Sequence, residues 1–151
     1  MGKILEAVES YLAKEGWNHQ KAQGQDLLEM RVKGANATYR VLVQALEDRD
    51  QVVAYVICPN NVPEDKRVAA AEFLARANFQ ILIGSLELDF SDGEVRCKVA
   101  MDIEGGTLSH AMVGNMLAFG IRSMDRFFPG LMSVLFANQT PADAFQAALK
   151  G

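Results

Sequence analysis

The chain reads as an α+β protein, an antiparallel five-stranded sheet with helices packed on it in the order α-β-β-β-α-β-β-α-α. Three observations carry this reading. Ile4, Leu5, Val8, Tyr11 and Leu12 recur at helical spacing, the apolar period changes to two from Leu27, and the stretch from Leu74 to Asp102 holds a helix end, two alternating runs and the turn between them. With 151 residues, 50% hydrophobic and 23% charged, the chain is expected to form one domain over residues 1–151. Such a domain buries about 70% of its unfolded surface and needs neither disulfide nor metal to hold it.

The first helix is expected to end at Gly16, which tolerates the left-handed conformation, with Trp17 just beyond it. Leu28, Met30 and Val32 then alternate with Glu29 and Arg31, Gly34-Ala35-Asn36 turns the chain, and a second strand runs from Ala37 to Glu47. Asp48-Arg49-Asp50 makes the next turn. Gln51 to Cys58 is apolar on both faces, which predicts a central strand with a helix over one side, ended by Pro59. Pro63 suits the first position of the next helix and Glu64 and Asp65 its first turn, with Ala69, Ala70, Phe73, Leu74 and Ala77 as its buried stripe and Asn78 as its end.

In the following hairpin Leu82, Gly84, Leu86, Leu88 and Phe90 alternate with Ile83, Ser85, Glu87 and Asp89, and Val95, Cys97, Val99, Met101 and Ile103 alternate with Glu94, Arg96, Lys98 and Asp102. Asp92-Gly93 suits a two-residue type I′ turn, which requires positive φ at both positions. That turn sets Ser91 opposite Glu94, Phe90 opposite Val95, Asp89 opposite Arg96, Leu88 opposite Cys97 and Glu87 opposite Lys98. Apolar then meets apolar on one face and carboxylate meets cation on the other, each pair contributing about 0.2–1 kcal/mol. Gly105, Gly106 and Thr107 follow as loop and N-cap of a long apolar helix from Leu108 to Phe128, which Pro129-Gly130 breaks or kinks. Thr140 caps a last short helix, with Pro141 at its first position and Asp143 in its first turn.

The net charge of −4 and the absence of a basic stripe argue against nucleic-acid and anionic-membrane partners. Cys58 and Cys97 sit in apolar strand runs without CxxC spacing, as buried thiols of a reducing compartment do. No apolar run near the N-terminus has signal-peptide length, so the chain is expected to be cytoplasmic.

Candidate chemistry is thin. His110 follows Ser109, but adjacent helical residues diverge and no carboxylate is placed in sequence to orient the imidazole, so a nucleophilic pair is not expected. His19, His110 and the two cysteines lack zinc-ligand spacing. Asp89, Asp92 and Glu94 lack the alternation of a calcium loop and read as a solvated hairpin tip. Glu104-Gly105-Gly106-Thr107 reads as loop and cap, since Glu104 would repel an anion held by the helix N-terminus. Glycosylation triplets at Asn36 and Asn138 carry no meaning without a secretory route. The expectation is no catalytic residue, no cofactor and no metal.

The C-terminal third stands out. Met112, Met116, Leu117, Phe119, Ile121 and Met124, then Phe127, Phe128, Leu131, Met132, Leu135 and Phe136, cover more than one helix face, while His110, Asn115, Arg122, Asp125 and Arg126 interrupt them and exclude a membrane span. Met and Phe are common at surfaces that accept varied partners. The first group serves equally as internal core. The second, Phe127, Phe128, Leu131, Met132, Leu135 and Phe136, is the candidate partner or dimer surface.

The wording of residues 74–78 (LARAN), 83–89 (IGSLELD), 92–96 (DGEVR), 101–106 (MDIEGG) and 123–131 (SMDRFFPGL) resembles the YbjN family, described as bacterial sensory transduction regulators without established biochemistry. The resemblance extends over most of the chain and departs where Leu86 and Cys97 replace expected aromatic residues. It implies a fold like that of the type III secretion chaperones, small α/β proteins that dimerise and hold partner polypeptides, and it implies no enzymatic activity. Two readings follow: a non-enzymatic regulatory or chaperone-like module, acting as a homodimer that holds a polypeptide partner, or a small-ligand-sensing or catalytic domain with a pocket between the sheet and the long C-terminal helix, His110 at its mouth.

Overall fold

The computed structural model describes residues 2–151, and the chain runs α1 (Lys3–Lys14), β1 (Gln20–Lys21), β2 (Leu27–Lys33), β3 (Thr38–Leu46), β4 (Gln51–Ile57), α2 (Arg67–Asn78), β5 (Ser85–Leu88), β6 (Val95–Asp102), α3 (His110–Phe136) and α4 (Pro141–Lys150). Single 3-10 turns at Glu47–Arg49 and Glu64–Lys66 lead into β4 and α2. The sheet is antiparallel throughout, in the order β1-β2-β3-β4-β6-β5. It has six strands rather than five, because β1 is two polar residues paired with Glu29 and Leu28, too short to display a period of two. Since β6 lies between β4 and β5, the second hairpin joins the sheet through its second strand after α2 has crossed over.

One face of the sheet presents Leu28, Val41, Val43, Val52, Ala54, Val56, Val95, Cys97 and Val99 to the helices, and these join Leu5, Phe73, Met116, Leu117, Met124 and Phe127 in one continuous core. α1 closes as expected: Gly16 has φ +74°, its N–H reaches the Ala13 carbonyl and the Trp17 N–H reaches that of Leu12, the paired bonds that satisfy a helix C-terminus. α3 begins later than the sequence suggested, with Ser109 as cap, its hydroxyl accepting from the Met112 N–H at 3.1 Å. A serine three residues before an unpaired N–H competes well for that role.

Pro129 does not break α3, which continues to Phe136. A proline leaves the carbonyl four residues earlier without its helical donor, and here that carbonyl, on Asp125, accepts from Asn36 Nδ2 at 2.8 Å. The Asp125 carboxylate in turn accepts from the backbone N–H groups of Ala35 (2.9 Å) and Asn36 (3.0 Å) and from the Tyr39 hydroxyl (2.7 Å). The β2–β3 turn is thereby bolted to α3 where proline freed a bonding group. Gly34 permits the approach, since a Cβ there would lie 2.5 Å from Asp125 Oδ1 and 2.9 Å from the Tyr39 ring.

The second hairpin differs from its expected register. Glu87 pairs with Arg96 and Leu86 with Cys97, a shift of two residues that preserves the faces. The loop is four residues, Phe90 to Gly93, closed by Asp89 N–H to Glu94 O and Gly93 N–H to Asp89 O. Only Gly93 takes positive φ, +83°; Asp92 does not, so a type I′ turn cannot form. Nor is the tip merely solvated. Val62 N–H donates to Gly93 O, Arg67 Nη1 to Phe90 O and Asn61 Nδ2 to Asp92 O, while Asp89 and Asp92 use their carboxylates on Ser91 and Glu94 N–H groups. Leu82 and Phe90, expected on the core face, lie outside β5 and are exposed.

Candidate functional site

The six C-terminal residues expected to form one surface are divided by the fold. Phe127, Leu131 and Leu135 are buried in the core. Phe128 and Met132 are half-buried against it, Phe128 meeting the Tyr39 ring edge to face at 6.1 Å. Phe136 stands outside. The last turns of α3 are therefore mostly spoken for by α2, α4 and the clamp at Asp125. Gly130 shows how closely: a Cβ there would lie 2.6 Å from Phe73 Cζ.

His110 acquires the carboxylate that sequence spacing did not show. Its Nε2 lies 2.9 Å from Glu15 Oε1, and its ring packs 4.6 Å from that of Tyr11. Ser109 caps the helix instead of facing the imidazole, so the group ties α1 to α3 and brings no nucleophile to a base. Farther along α3, Gly120 brings the helix so close to the sheet that a Cβ there would meet Val56 and Val99 at 3.1 and 3.4 Å. The Trp17 carbonyl accepts from the Nδ1–H tautomer of His19 at 2.9 Å. Among the described residues no group of three His, Cys, Asp or Glu could hold a metal ion, and no helix is long and apolar enough to cross a membrane. Cys58 and Cys97 are free and buried, and burial, with Glu87 adding to it, pushes the Cys97 thiol up to about 12.

On the face opposite the helices, Glu87 bridges Arg96 (2.9 Å) and Lys98 (2.8 Å), and the Arg96 guanidinium lies 4.2 Å above the Tyr55 ring. Burial opposes the Glu87 charge, but its hydrogen bonds to Lys98 and Arg96 outweigh that and hold its pKa below the ordinary carboxylate value.

The exposed apolar surface lies elsewhere, at the corner where α2 ends, the chain approaches β5 and α3 passes. Phe79 is 89% exposed and Leu82 95%, and Ile83 and Phe119 are exposed as well. Leu82, Ile83 and Phe119 share a groove of about 360 Å³ with Arg122, Ser123 and Arg126. Phe79 borders a second, of about 480 Å³, with Glu72, Ala75, Arg76 and Phe145. At the adjoining sheet edge Asn78 Oδ1 accepts from the Leu86 N–H at 2.7 Å and Nδ2 donates to the Leu86 carbonyl at 2.9 Å, so the backbone groups that Leu86 would offer an added strand are taken. Sequence reasoning missed this corner because residues 82–90 were fitted to one strand. Gly84, at φ +90°, turns the chain out of the sheet. The available signal was the run Phe79-Gln80-Ile81-Leu82-Ile83 between a helix end and a glycine.

Residues 5–132 match the YbjN family, whose description reads "Putative bacterial sensory transduction regulator". No curated protein matches the chain. Among solved structures, the crystal structure of YbjN from E. coli, titled a "putative transcription regulator", superposes with a TM-score of 0.61 at 12% identity, covering 89% of this chain and 90% of that one. The HopA1–SchA chaperone–effector complex contains a chain with a TM-score of 0.51 at 13% identity, covering 80% of this chain and 88% of its own. At these identities the likeness is one of fold, and it places the chain in the type III secretion chaperone-like architecture.

Proposed function

The chain belongs to the YbjN family, and from that premise we propose that it is a non-enzymatic cytoplasmic protein whose single domain binds a polypeptide partner in a regulatory or chaperone-like role and acts as a homodimer. The observation that carries the reading is the exposed corner: Leu82, Ile83 and Phe119 line one surface groove, and clustered exposed apolar side chains mark interaction sites in soluble proteins. The likeness to a chain of a chaperone–effector complex supports it. Phe136, with the half-buried Phe128 and Met132, is proposed as a lesser part of the partner surface.

The homodimer is proposed through the outer stripe of α2. Val68, Glu72, Arg76 and Phe79 follow one another at helical spacing, Val68 and Phe79 being exposed and Glu72 and Arg76 forming an ion pair at 2.9 Å. Laid antiparallel on itself about a twofold axis near residue 74, the stripe sets Glu72 against Arg76 of the other copy and Val68 against Phe79. Light scattering after size exclusion tests it: Glu72→Arg and Arg76→Glu each give monomer, and the double exchange restores the dimer. A wild-type monomer, or single variants that remain dimeric, refutes this interface. Affinity capture of a near-stoichiometric polypeptide, lost with Leu82→Ser and Phe119→Ser in a folded protein, tests the binding reading itself, and capture that both variants leave unchanged refutes the corner as the site.

A further inference from the structure

Phe119, Arg122, Ser123 and Arg126 are spaced i, i+3, i+4 and i+7 along α3, so they form one stripe, and across the groove from it stand Leu82 and Ile83. The two arginines are one helical turn apart, about 6 Å along the axis. Among the described residues neither forms an ion pair, the charged contacts being Arg40–Glu29, Arg76–Glu72, Arg96–Glu87, Lys98–Glu87 and His110–Glu15. Arg126 lies over the face of Phe127, its guanidinium carbon 5.2 Å from the ring centre, which holds the charge at the groove's rim. In a chain of net charge −4, this apolar groove is bordered by two free cations and lined by no carboxylate.

We infer that this groove receives an amphipathic helix of another protein whose apolar face is flanked by two carboxylates one turn apart. The inference rests on the polypeptide-binding reading and names the chemistry of the partner. The apolar side chains of such a helix lie between Leu82, Ile83 and Phe119, and its carboxylates reach Arg122 and Arg126, the arrangement in which guanidinium groups bind carboxylates most strongly. Ser123, the small residue between the arginines, leaves room for the helix to approach. A second copy fits poorly, because an isologous contact turns each patch on itself and sets arginine against arginine. An added strand fits poorly too, because Asn78 occupies the Leu86 backbone on the neighbouring edge.

The test uses three fluorescently labelled 16-residue helical peptides with the same Leu/Phe face, bearing two Glu, two Gln or two Lys at the flanking i and i+4 positions, titrated against the full chain by anisotropy. Amide resonances map the site. The Glu peptide is expected to bind about tenfold more tightly than the Gln peptide and more tightly still than the Lys peptide, as one or two charge-assisted contacts require. Arg122→Glu with Arg126→Glu, both on an exposed helix face, reverses the order, and Leu82→Ser weakens all three. Shifts concentrate on residues 81–83 and 119–126. Equal binding of the three peptides, an order unchanged in the double variant, or shifts mapping elsewhere overturns the inference while the polypeptide-binding reading stands. No binding by any peptide, together with no partner recovered by affinity capture, overturns both. Concentration-dependent dimerisation abolished by Leu82→Ser assigns the groove to a second copy and likewise overturns it.

Discussion

Replacing Asp125 by alanine tests whether the β2–β3 turn is held to α3 by the bonds described above. Three donors lose their acceptor. Ala35 and Asn36 are at the surface, so their N–H groups regain water at a cost of about 0.5 kcal/mol each, whereas Tyr39 is fully buried and its hydroxyl loses a charged acceptor, about 1.5–3 kcal/mol. The sum is about 2.5–4 kcal/mol, which moves the urea midpoint down by about 1–2 M at the slope usual for a domain of this size. Tyr39→Phe alone removes one donor and costs about 1 kcal/mol. Because the two groups share a bond, the double variant is expected to be less destabilised than the sum by about 1 kcal/mol or more. The same contact predicts a pH dependence. Burial disfavours the Asp125 charge, but the Tyr39 hydroxyl and the Asn36 and Ala35 N–H groups outweigh it, and its folded pKa falls below the ordinary value of 3.8. A depressed carboxylate contributes stability that is present above 3.8 and lost as pH falls through the folded value. Wild type therefore loses stability on acidification that Asp125→Ala does not. A loss under about 1 kcal/mol in Asp125→Ala, or strict additivity with Tyr39→Phe, refutes the clamp.

Asn78→Ala removes both bonds to the buried Leu86 and is expected to cost about 1–3 kcal/mol. It also uncovers the β5 edge, so its aggregation on mild heating should exceed that of a variant equally destabilised elsewhere; equal aggregation refutes the sealing role. Gly130→Ala, favourable by about 1 kcal/mol in a free helix, is expected instead to destabilise by about 1–3 kcal/mol because its Cβ meets Phe73 Cζ at 2.6 Å; a raised melting temperature contradicts this. Burial raises the pKa of both Cys58 and Cys97, so a thiol reagent at pH 8 should modify neither in the folded chain and both in denaturant; rapid labelling of the native protein would show that these strands open.

Most elements were legible because each wrote its period over enough residues. α1, β2, β3 and β4 follow spacing and turn residues that physics constrains locally, down to the left-handed Gly16. What failed did so where a distant group decided the outcome. Pro129 predicts a break or a kink, and the break does not occur because Asn36, 89 residues away in the chain, supplies a donor for the Asp125 carbonyl. Asp92-Gly93 predicts a two-residue turn until Val62 and Arg67 hold the tip in a wider one. Glu15 lies 95 residues from His110, so no local spacing could show their pairing. The C-terminal apolar run told correctly that α3 is covered on more than one side, but composition does not say whether another helix or another chain covers it, and for Phe127, Leu131 and Leu135 it is the chain's own core.

The exposed corner has a different origin, and it bears on function. Residues 82–90 alternate well enough to form a longer strand beside β6, which itself continues to Asp102. Gly84 prevents this: at φ +90° it leads the chain away, and a Cβ on it would meet Val99 Cγ2 at 2.8 Å and the Lys98 carbonyl at 3.1 Å. One glycine thus leaves Leu82 95% exposed when extension of β5 could have placed it against the sheet. Burying a leucine side chain is worth about 1.5–3 kcal/mol, a gain this monomer forgoes at Leu82 while packing Gly114, Gly120 and Gly130 of α3 within close contact of their neighbours. Tight economy along α3 and an unclaimed leucine beside Arg122 and Arg126 fit together if the corner's apolar surface is completed by a partner, which is why the peptide titration addresses this site before the half-buried C-terminal residues.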